Sequence, residues 1–218
     1  MPFNLLLFPL VGGYFFLIFC NKTRYYHQRI DQQRLLFNSV LVGIISLTAS
    51  YFLLQIMDSL FTGFVSNFKK LFPLKIEYLE VAVFSFLLSV FVTVIVNLFT
   101  NKTKALSKSI DKIGNDLEKI IKKGFTEAEL ISLTLKSGKA YVGIPLAIPE
   151  PSKSSTYISI VPFFSGYRNN EKELIFTTEY LSVHEKMDNR DKYFSLIIAT
   201  SEIVTVNLFD LGIYQKFQ

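Results

Sequence analysis

Three apolar runs occupy most of the first hundred residues, and no other feature restricts the possible folds so tightly. Pro2 to Cys20 and Leu35 to Ile56 contain no charged side chain, and Leu79 to Thr100 contains one, Glu80, at its edge. A bilayer core asks for roughly 20 apolar residues per helix. A water-exposed helix keeps a polar face, which these runs lack. The runs are therefore expected to be transmembrane helices, with spans at about 2–20, 35–56 and 79–100. The first is expected to stay uncleaved, because Met1-Pro2-Phe3-Asn4 carries no basic residue and Ile18-Phe19-Cys20-Asn21 offers no small-x-small site. Pro9 and Gly12-Gly13 mark where that helix kinks or where a neighbour packs closely.

Composition agrees. Half of the 218 residues are hydrophobic, only 19% are charged, and the mean hydropathy is +0.34. A single Cys and two His exclude a disulfide scaffold and a zinc ribbon.

Orientation follows from basic residues beside the spans. The loop 21–34 holds Lys22, Arg24, Arg29 and Arg34, and the stretch after the third run holds Lys102, Lys104, Lys108 and Lys112. The loop between the second and third runs has the more dilute Lys69, Lys70 and Lys75. The N-terminus is therefore expected outside, with loop 21–34 and everything after residue 100 in the cytosol. Asn21-Lys22-Thr23 and Asn101-Lys102-Thr103 are N-x-T sequons, unmodified on that face. Lys22, Arg24, Arg29, Lys102 and Lys104 are the expected contacts to anionic lipid headgroups. Residues 1–100 carry seven basic and four acidic side chains, 101–123 seven and three, and 124–218 nine and eleven. The net +5 thus belongs to the membrane-proximal stretches, and an acidic C-terminal domain argues against nucleic acid as a partner.

Two shorter patterns stand out. Phe61, Phe64, Phe68 and Phe72 recur at helical spacing, so the loop 57–78 reads as an interfacial amphipathic helix or as a cap packed over the spans. Leu106, Ile110, Ile113, Leu117 and Ile120 follow a heptad spacing within a connector helix over 101–123. Such a seam joins identical helices into a homo-oligomer; a helix lying along its own β domain shows nearly the same stripe. Lys122-Lys123-Gly124 is expected to end that helix at a C-cap glycine.

From residue 124 onward the pattern is β. Ile131, Leu133 and Leu135 alternate with Ser132 and Thr134, Lys136-Ser137-Gly138-Lys139 makes a tight turn, and Ala140 to Ile144 returns. Further strands are expected at Tyr157–Val161, Leu174–Thr178, Tyr193–Ala199 and Ile203–Phe209, with breaks at Asn169-Asn170, Asp188-Asn189 and Ser201-Glu202. About six short strands in this length suit a small barrel. The whole is then an α-helical transmembrane domain (1–100), a helical connector (101–123) and a cytosolic all-β small barrel (124–218).

The run Ile131-Ser132-Leu133-Thr134-Leu135-Lys136-Ser137-Gly138-Lys139-Ala140-Tyr141-Val142-Gly143 resembles the opening hairpin of Sm-like and SH3-like barrels, where the second glycine lets the sheet bend sharply. Ile197 to Val206 is similar to their closing strands around a short turn. Sm RNA-binding residues do not carry over, since the loop after Gly143 is Pro-rich and lacks the Asp and Asn pair. Together with the Ser165-Gly166-Tyr167-Arg168 turn and the Ser201-Glu202-Ile203-Val204…Leu208-Phe209-Asp210 ending, the chain resembles an uncharacterised family of bacterial integral-membrane proteins. That resemblance implies an inner-membrane location and an architecture, with no activity attached. Three spans with an outside N-terminus before an Sm-like barrel are also similar in plan to small mechanosensitive channels. Their Gly/Ala-rich pore helix is missing, because Val81 to Thr100 has no glycine and only Ala82.

Chemistry-bearing residues are sparse. His27 and His184 read as solvated loop histidines, and Cys20, at the membrane edge, as an unmodified apolar cysteine or a palmitoylation candidate. Glu171, Glu173, Glu179 and Glu185 have nothing to pair them for acid–base work, and neither phosphate-binding glycine motif occurs. No enzyme, no metal and no cofactor is expected. Within the spans, Asn4, Gln55, Glu80 and Asn97 lie near the faces and Asn38 one turn inside, placed for an interhelical hydrogen bond. The expected function is a non-enzymatic, homo-oligomeric inner-membrane protein whose barrel senses or docks a cytosolic protein partner, with envelope signalling and antiviral defence as processes by fold-level analogy. The alternative is an ion-conducting or membrane-permeabilising assembly, gated by a small nucleotide stacked on Tyr141, Tyr157 and Tyr167 and paired with Arg168.

Overall fold

The computed structural model describes residues 3–72, 76–150, 157–169, 171, 173–180 and 195–217. It divides into two compact units, Met1–Ala105 and Leu106–Gln218.

The first unit is helical: α1 (Leu7–Phe19), α2 (Arg24–His27), α3 (Gln32–Leu60), α4 (Phe64–Lys70), α5 (Leu79–Phe99) and the start of α6 (Lys102–Ile113). Two helices, α3 and α5, are long and apolar enough to cross a membrane, while α1 is a shorter apolar helix. The first apolar helix is thus shorter than the span expected over 2–20: it has 13 residues, about 20 Å at 1.5 Å per residue. Pro9 accounts for the late start. Its ring excludes an α-helical hydrogen bond from its own nitrogen and crowds the preceding turn, so Pro9 sits in the helix's first turn and Phe3–Leu6 tightens into a 3-10 turn.

Packing in this unit is small-inside and large-outside. Most buried positions are small, Gly12 and Gly13 on α1, Ser39, Gly43 and Ser50 on α3, and Ala82, Ser85, Ser89 and Thr93 on α5, with Pro9, Leu17, Leu54, Leu79, Glu80 and Val81 the larger ones. Outward side chains are large and apolar, with Phe37 70%, Leu98 77% and Phe99 87% exposed. Water would penalise such a surface by roughly 25 cal/mol per Å², whereas lipid leaves packing of small residues as the force that joins helices. Most interior hydroxyls are satisfied locally, Ser50 Oγ being an exception among the described residues. Ser46 Oγ donates to the Ser85 carbonyl at 2.9 Å and meets Ser89 Oγ at 2.9 Å, and Thr93 donates to the Ser89 carbonyl.

The connector differs from expectation. Its stretch is two helices, α6 and α7 (Asp116–Glu127), and α7 belongs with the strands. Asn115 breaks them: its side chain accepts from the Glu118 amide while Glu118 accepts from the Asn115 amide, a complete capping box. The heptad seam therefore does not run along one helix. Leu117, Ile120 and Ile121 of α7 pack on the sheet's apolar cluster, and Leu106 and Ile110 are buried on α6. Asn115→Ala should lower the melting temperature of the full chain by a few degrees, about 1 kcal/mol for a lost N-cap; circular dichroism reads it, and an unchanged melt would deny the cap its role. Gly124 is also not the C-cap. It lies inside α7, where a Cβ would meet Ile131 Cγ2 at 2.8 Å, and the left-handed cap is Ala128 at φ 54°. Close approach of helix to strand, and not a turn, explains that glycine.

The second unit holds a six-stranded antiparallel sheet: β1 (Ile131–Leu135), β2 (Lys139–Pro145), β3 (Tyr157–Arg168), β4 (Leu174–Glu179), β5 (Leu196–Ala199) and β6 (Ile203–Leu208). Strands pair in the order β4-β3-β2-β1-β6, and β5 pairs with the first half of β3. The β1–β2 hairpin turns at Gly138, at φ +80°. The Ser165–Arg168 segment, expected as a turn, is strand: it continues β3 beside β2 and β4. Gly166 permits this, since a Cβ there would lie 1.9 Å from the Ile175 carbonyl oxygen.

The sheet must curl. Counted through β3, β2 and β1, β5 and β6 sit four strand spacings apart, about 19 Å if flat. Yet the 3-10 turn Thr200–Glu202 joins them, and four peptide steps reach at most ~14 Å. Ile131, Leu133, Ile158, Ile160 and Ile198 fill one side with α7. On the other side Phe164 and Phe176 meet Phe209 and Tyr214, the latter in α8 (Leu211–Tyr214), whose hydroxyl donates to the Leu174 carbonyl at 2.6 Å.

Candidate functional site

The basic residues collect at one end of the bundle. Asn97, near the end of α5, accepts from the Asn21 amide at 2.7 Å and donates to the Phe19 carbonyl at 2.9 Å. This tie brings the ends of α1 and α5 together, and with them Lys22, Arg24 and Arg29 and the residues Lys102 and Lys104. Lys22, Lys102 and Lys104 are exposed, whereas Arg24 and Arg29 are half-buried. The Arg24 guanidinium lies 5.0 Å from the Tyr25 ring centroid, and its Nε is buried with no hydrogen-bond partner among the described residues.

Three polar residues are more specific than the sequence suggests. His27 is buried instead of solvated, with Nδ1 at 2.9 Å from the Thr23 carbonyl and Nε2 at 3.4 Å from Asn38 Nδ2. Asn38 thus does reach across between helices. Glu80 is buried and held by Lys69 at 3.0 Å. Cys20 is fully buried, as an apolar cysteine would be; His184 lies outside the described residues.

The expected ligand set on the β unit does not come together. Tyr157 and Tyr167 stand at the two ends of β3, ten residues and roughly 33 Å of strand apart. Tyr141 and Tyr167 share a sheet face with Lys139, since Tyr141 opposes Ser165 and Lys139 opposes Tyr167. Arg168 alternates to the other face and donates from Nε to Thr134 Oγ1 at 3.1 Å. The Lys139 ammonium sits 5.2 Å from the Tyr141 ring centroid, and that tyrosine's hydroxyl raises its pKa above the usual lysine value. This corner binds itself before it binds a ligand.

A different surface is open. β6 pairs only with β1 among the described residues, and no charged or proline residue occurs along its length. Natural edge strands are normally protected by such residues. The Phe209 amide donates to the Leu130 carbonyl at 2.8 Å. By the alternation of antiparallel ladders, Val206 and Leu208 then turn their backbone groups away from β1. Val204 is 61% exposed, and Leu208 and Ile213 are also exposed. Beside them opens a cleft of about 740 Å³ between Lys123 and Glu129 on one wall and Leu208–Tyr214 on the other. Asp210 shapes this wall by accepting from the Ile213 amide at 2.9 Å, which starts α8. The sequence signal was the Asp210 N-cap two residues past a strand free of charge.

No known protein family, characterised protein or solved structure matches the chain.

Proposed function

We propose that this chain is a multi-pass protein of a bacterial inner membrane whose cytosolic β unit, a small Sm/SH3-like barrel, docks an extended segment of a cytosolic protein partner without catalysing a reaction. The observation that carries the docking is the unprotected β6 edge with Val204, Leu208 and Ile213 beside it. Such an edge offers main-chain hydrogen bonds for affinity and apolar contacts for choice of partner.

The barrel reading is supported by the helix-first order, the 3-10 turn between β5 and β6, and the curl that turn imposes. The membrane reading is supported by α3 and α5 together with their large, apolar outward surface. α1, with its 3-10 turn, is proposed as a third, short span, and the basic end as the cytosolic one. Self-association is part of the proposal and runs through outward-facing span residues, since Leu117 and Ile120 turn to the sheet. Native mass spectrometry in nanodiscs reads the copy number.

The docking test uses a photo-crosslinking residue at Leu208 in full-length, membrane-inserted protein. A discrete crosslinked partner is expected, and Val204→Lys, which places a charge on the edge, should reduce its yield about tenfold, ~1.4 kcal/mol. Crosslinking indifferent to Val204→Lys would remove the edge from the proposal.

A further inference from the structure

The bundle end away from the basic cluster carries a pocket of about 470 Å³, lined by Tyr51, Gln55, Asp58, Lys69, Tyr78 and Glu80 among others. A groove of about 490 Å³, sharing Tyr51, Tyr78 and Val81 with it, continues along α3 past Leu47, Thr48 and Phe52. One end is polar and the other apolar, the division found in a membrane lipid.

The charges choose the headgroup. Two carboxylates, Asp58 and Glu80, face one ammonium, Lys69, so the lining residues are net negative. Glu80 is buried and stands in the first turn of α5, where the helix dipole favours its charge. It already holds Lys69 at 3.0 Å. Asp58 commits one oxygen, Oδ1, to the Val65 amide at 3.0 Å. Its second oxygen, the Gln55 amide and the Tyr51 and Tyr78 hydroxyls belong to exposed side chains at the pocket and make no hydrogen bond among the described residues. The amide and hydroxyls can accept or donate, while the surplus negative charge favours a cation with several N–H donors. A purely anionic headgroup would meet two carboxylates for one lysine, and a quaternary ammonium has no N–H to give.

We infer that this pocket and groove bind one phospholipid with a primary-amine headgroup, a phosphatidylethanolamine. Its ammonium sits between Asp58 and Glu80, its phosphate lies toward Lys69, and an acyl chain runs past Leu47, Phe52 and Val81. The inference rests on the bundle being embedded in a bilayer.

The test is native mass spectrometry of the purified full-length chain released from nanodiscs of defined composition. One retained phosphatidylethanolamine is expected, favoured about tenfold over phosphatidylcholine and phosphatidylglycerol at equal mole fraction, the ratio expected for one well-placed charge-assisted hydrogen bond. Asp58→Asn keeps the oxygen that accepts from Val65 while removing the charge, and should abolish the preference. Thr48→Trp fills the exposed groove wall without entering the polar pocket, and should abolish retention. Soluble glycerophosphoethanolamine should not compete. Equal retention of the choline or glycerol lipid, an unchanged preference in Asp58→Asn, or full competition by the soluble headgroup would each overturn the inference. Release of the same preparation from membranes by alkaline carbonate would instead overturn the membrane reading beneath it.

Discussion

Gly13→Val should separate α1 from α3 and cost the bundle at least about 3 kcal/mol, the upper range of overpacking penalties. The collision is with backbone: a Cβ at Gly13 would lie 2.1 Å from the Ser39 carbonyl oxygen and 2.8 Å from the Gly43 nitrogen. Gly43 returns the constraint, with a Cβ 2.5 Å from the Pro9 carbonyl oxygen. No rotamer relieves contact with a helix backbone, so the helices must move apart and their close packing is lost. Gly12→Ala is the internal control. Its nearest neighbours are the Ser89 hydroxyl at 2.9 Å and Phe86 Cα and Ser89 Cβ at 3.2 Å, a milder crowding than the 2.1 Å at Gly13. Unfolding of the detergent-solubilised full chain should rank wild type, Gly12→Ala and Gly13→Val in falling order of stability. If Gly13→Val unfolds with wild type, α1 does not pack on α3 as described.

Gly143→Val is expected to be as costly in the β unit, again at least about 3 kcal/mol out of the 5–15 typical of a domain. A Cβ at Gly143 would stand 2.2 Å from the Val161 carbonyl oxygen, at the place where the β2–β3 register shifts. Gly166→Ala should behave alike, on the other flank of β3. Gly138→Ala separates crowding from backbone conformation. Nothing lies within 4 Å of its Cβ, but φ is +80°, so only the left-handed penalty of about 1–2 kcal/mol applies. Chemical denaturation of the full chain, followed through the β signal, should place Gly138→Ala between wild type and the other two. A Gly143→Val chain with wild-type strand content and midpoint would contradict the close β2–β3 approach.

Much of the chain's organisation could be read in advance. The second and third apolar runs became α3 and α5 because about twenty uninterrupted apolar residues are far longer than an ordinary strand and fit a helix. The first hairpin was legible because its alternation and its Gly138 turn are local signals. Expectation failed where two parts of the chain had to meet. Ser165–Arg168 looks like a turn by composition, yet Gly166 serves the contact with Ile175 and the segment extends β3. Gly124 looks like a helix stop and is a helix-to-strand contact instead. Asn115 and Glu118 did spell a capping box, but the heptad spacing that runs through them concealed the break.

The candidate sites divide in the same way. The basic residues Lys22, Arg24, Arg29, Lys102 and Lys104 could be grouped from their positions beside apolar runs, and the structure gathers them at one end of the bundle. The aromatic and arginine set could not be assembled from sequence. Strand alternation sends Arg168 and Tyr167 to opposite faces, and the length of β3 carries Tyr157 away from both. The pocket around Asp58, Lys69 and Glu80 needed the ends of α3 and α5 side by side, although the three residues are scattered over more than twenty positions.

The sequence by itself therefore determined where the long apolar helices and the first hairpin lie and where the basic charge lies. These follow from periodicity, composition and local turn chemistry, each confined to a few neighbouring residues. Only the tertiary structure decided that the heptad residues of α7 cover a sheet, that β6 pairs with β1 alone among the described residues, and that a buried carboxylate on α5 shares a pocket with another on α3. The same apolar stripe serves a partner helix or a sheet equally well, and which one it meets depends on the chain's long-range closure.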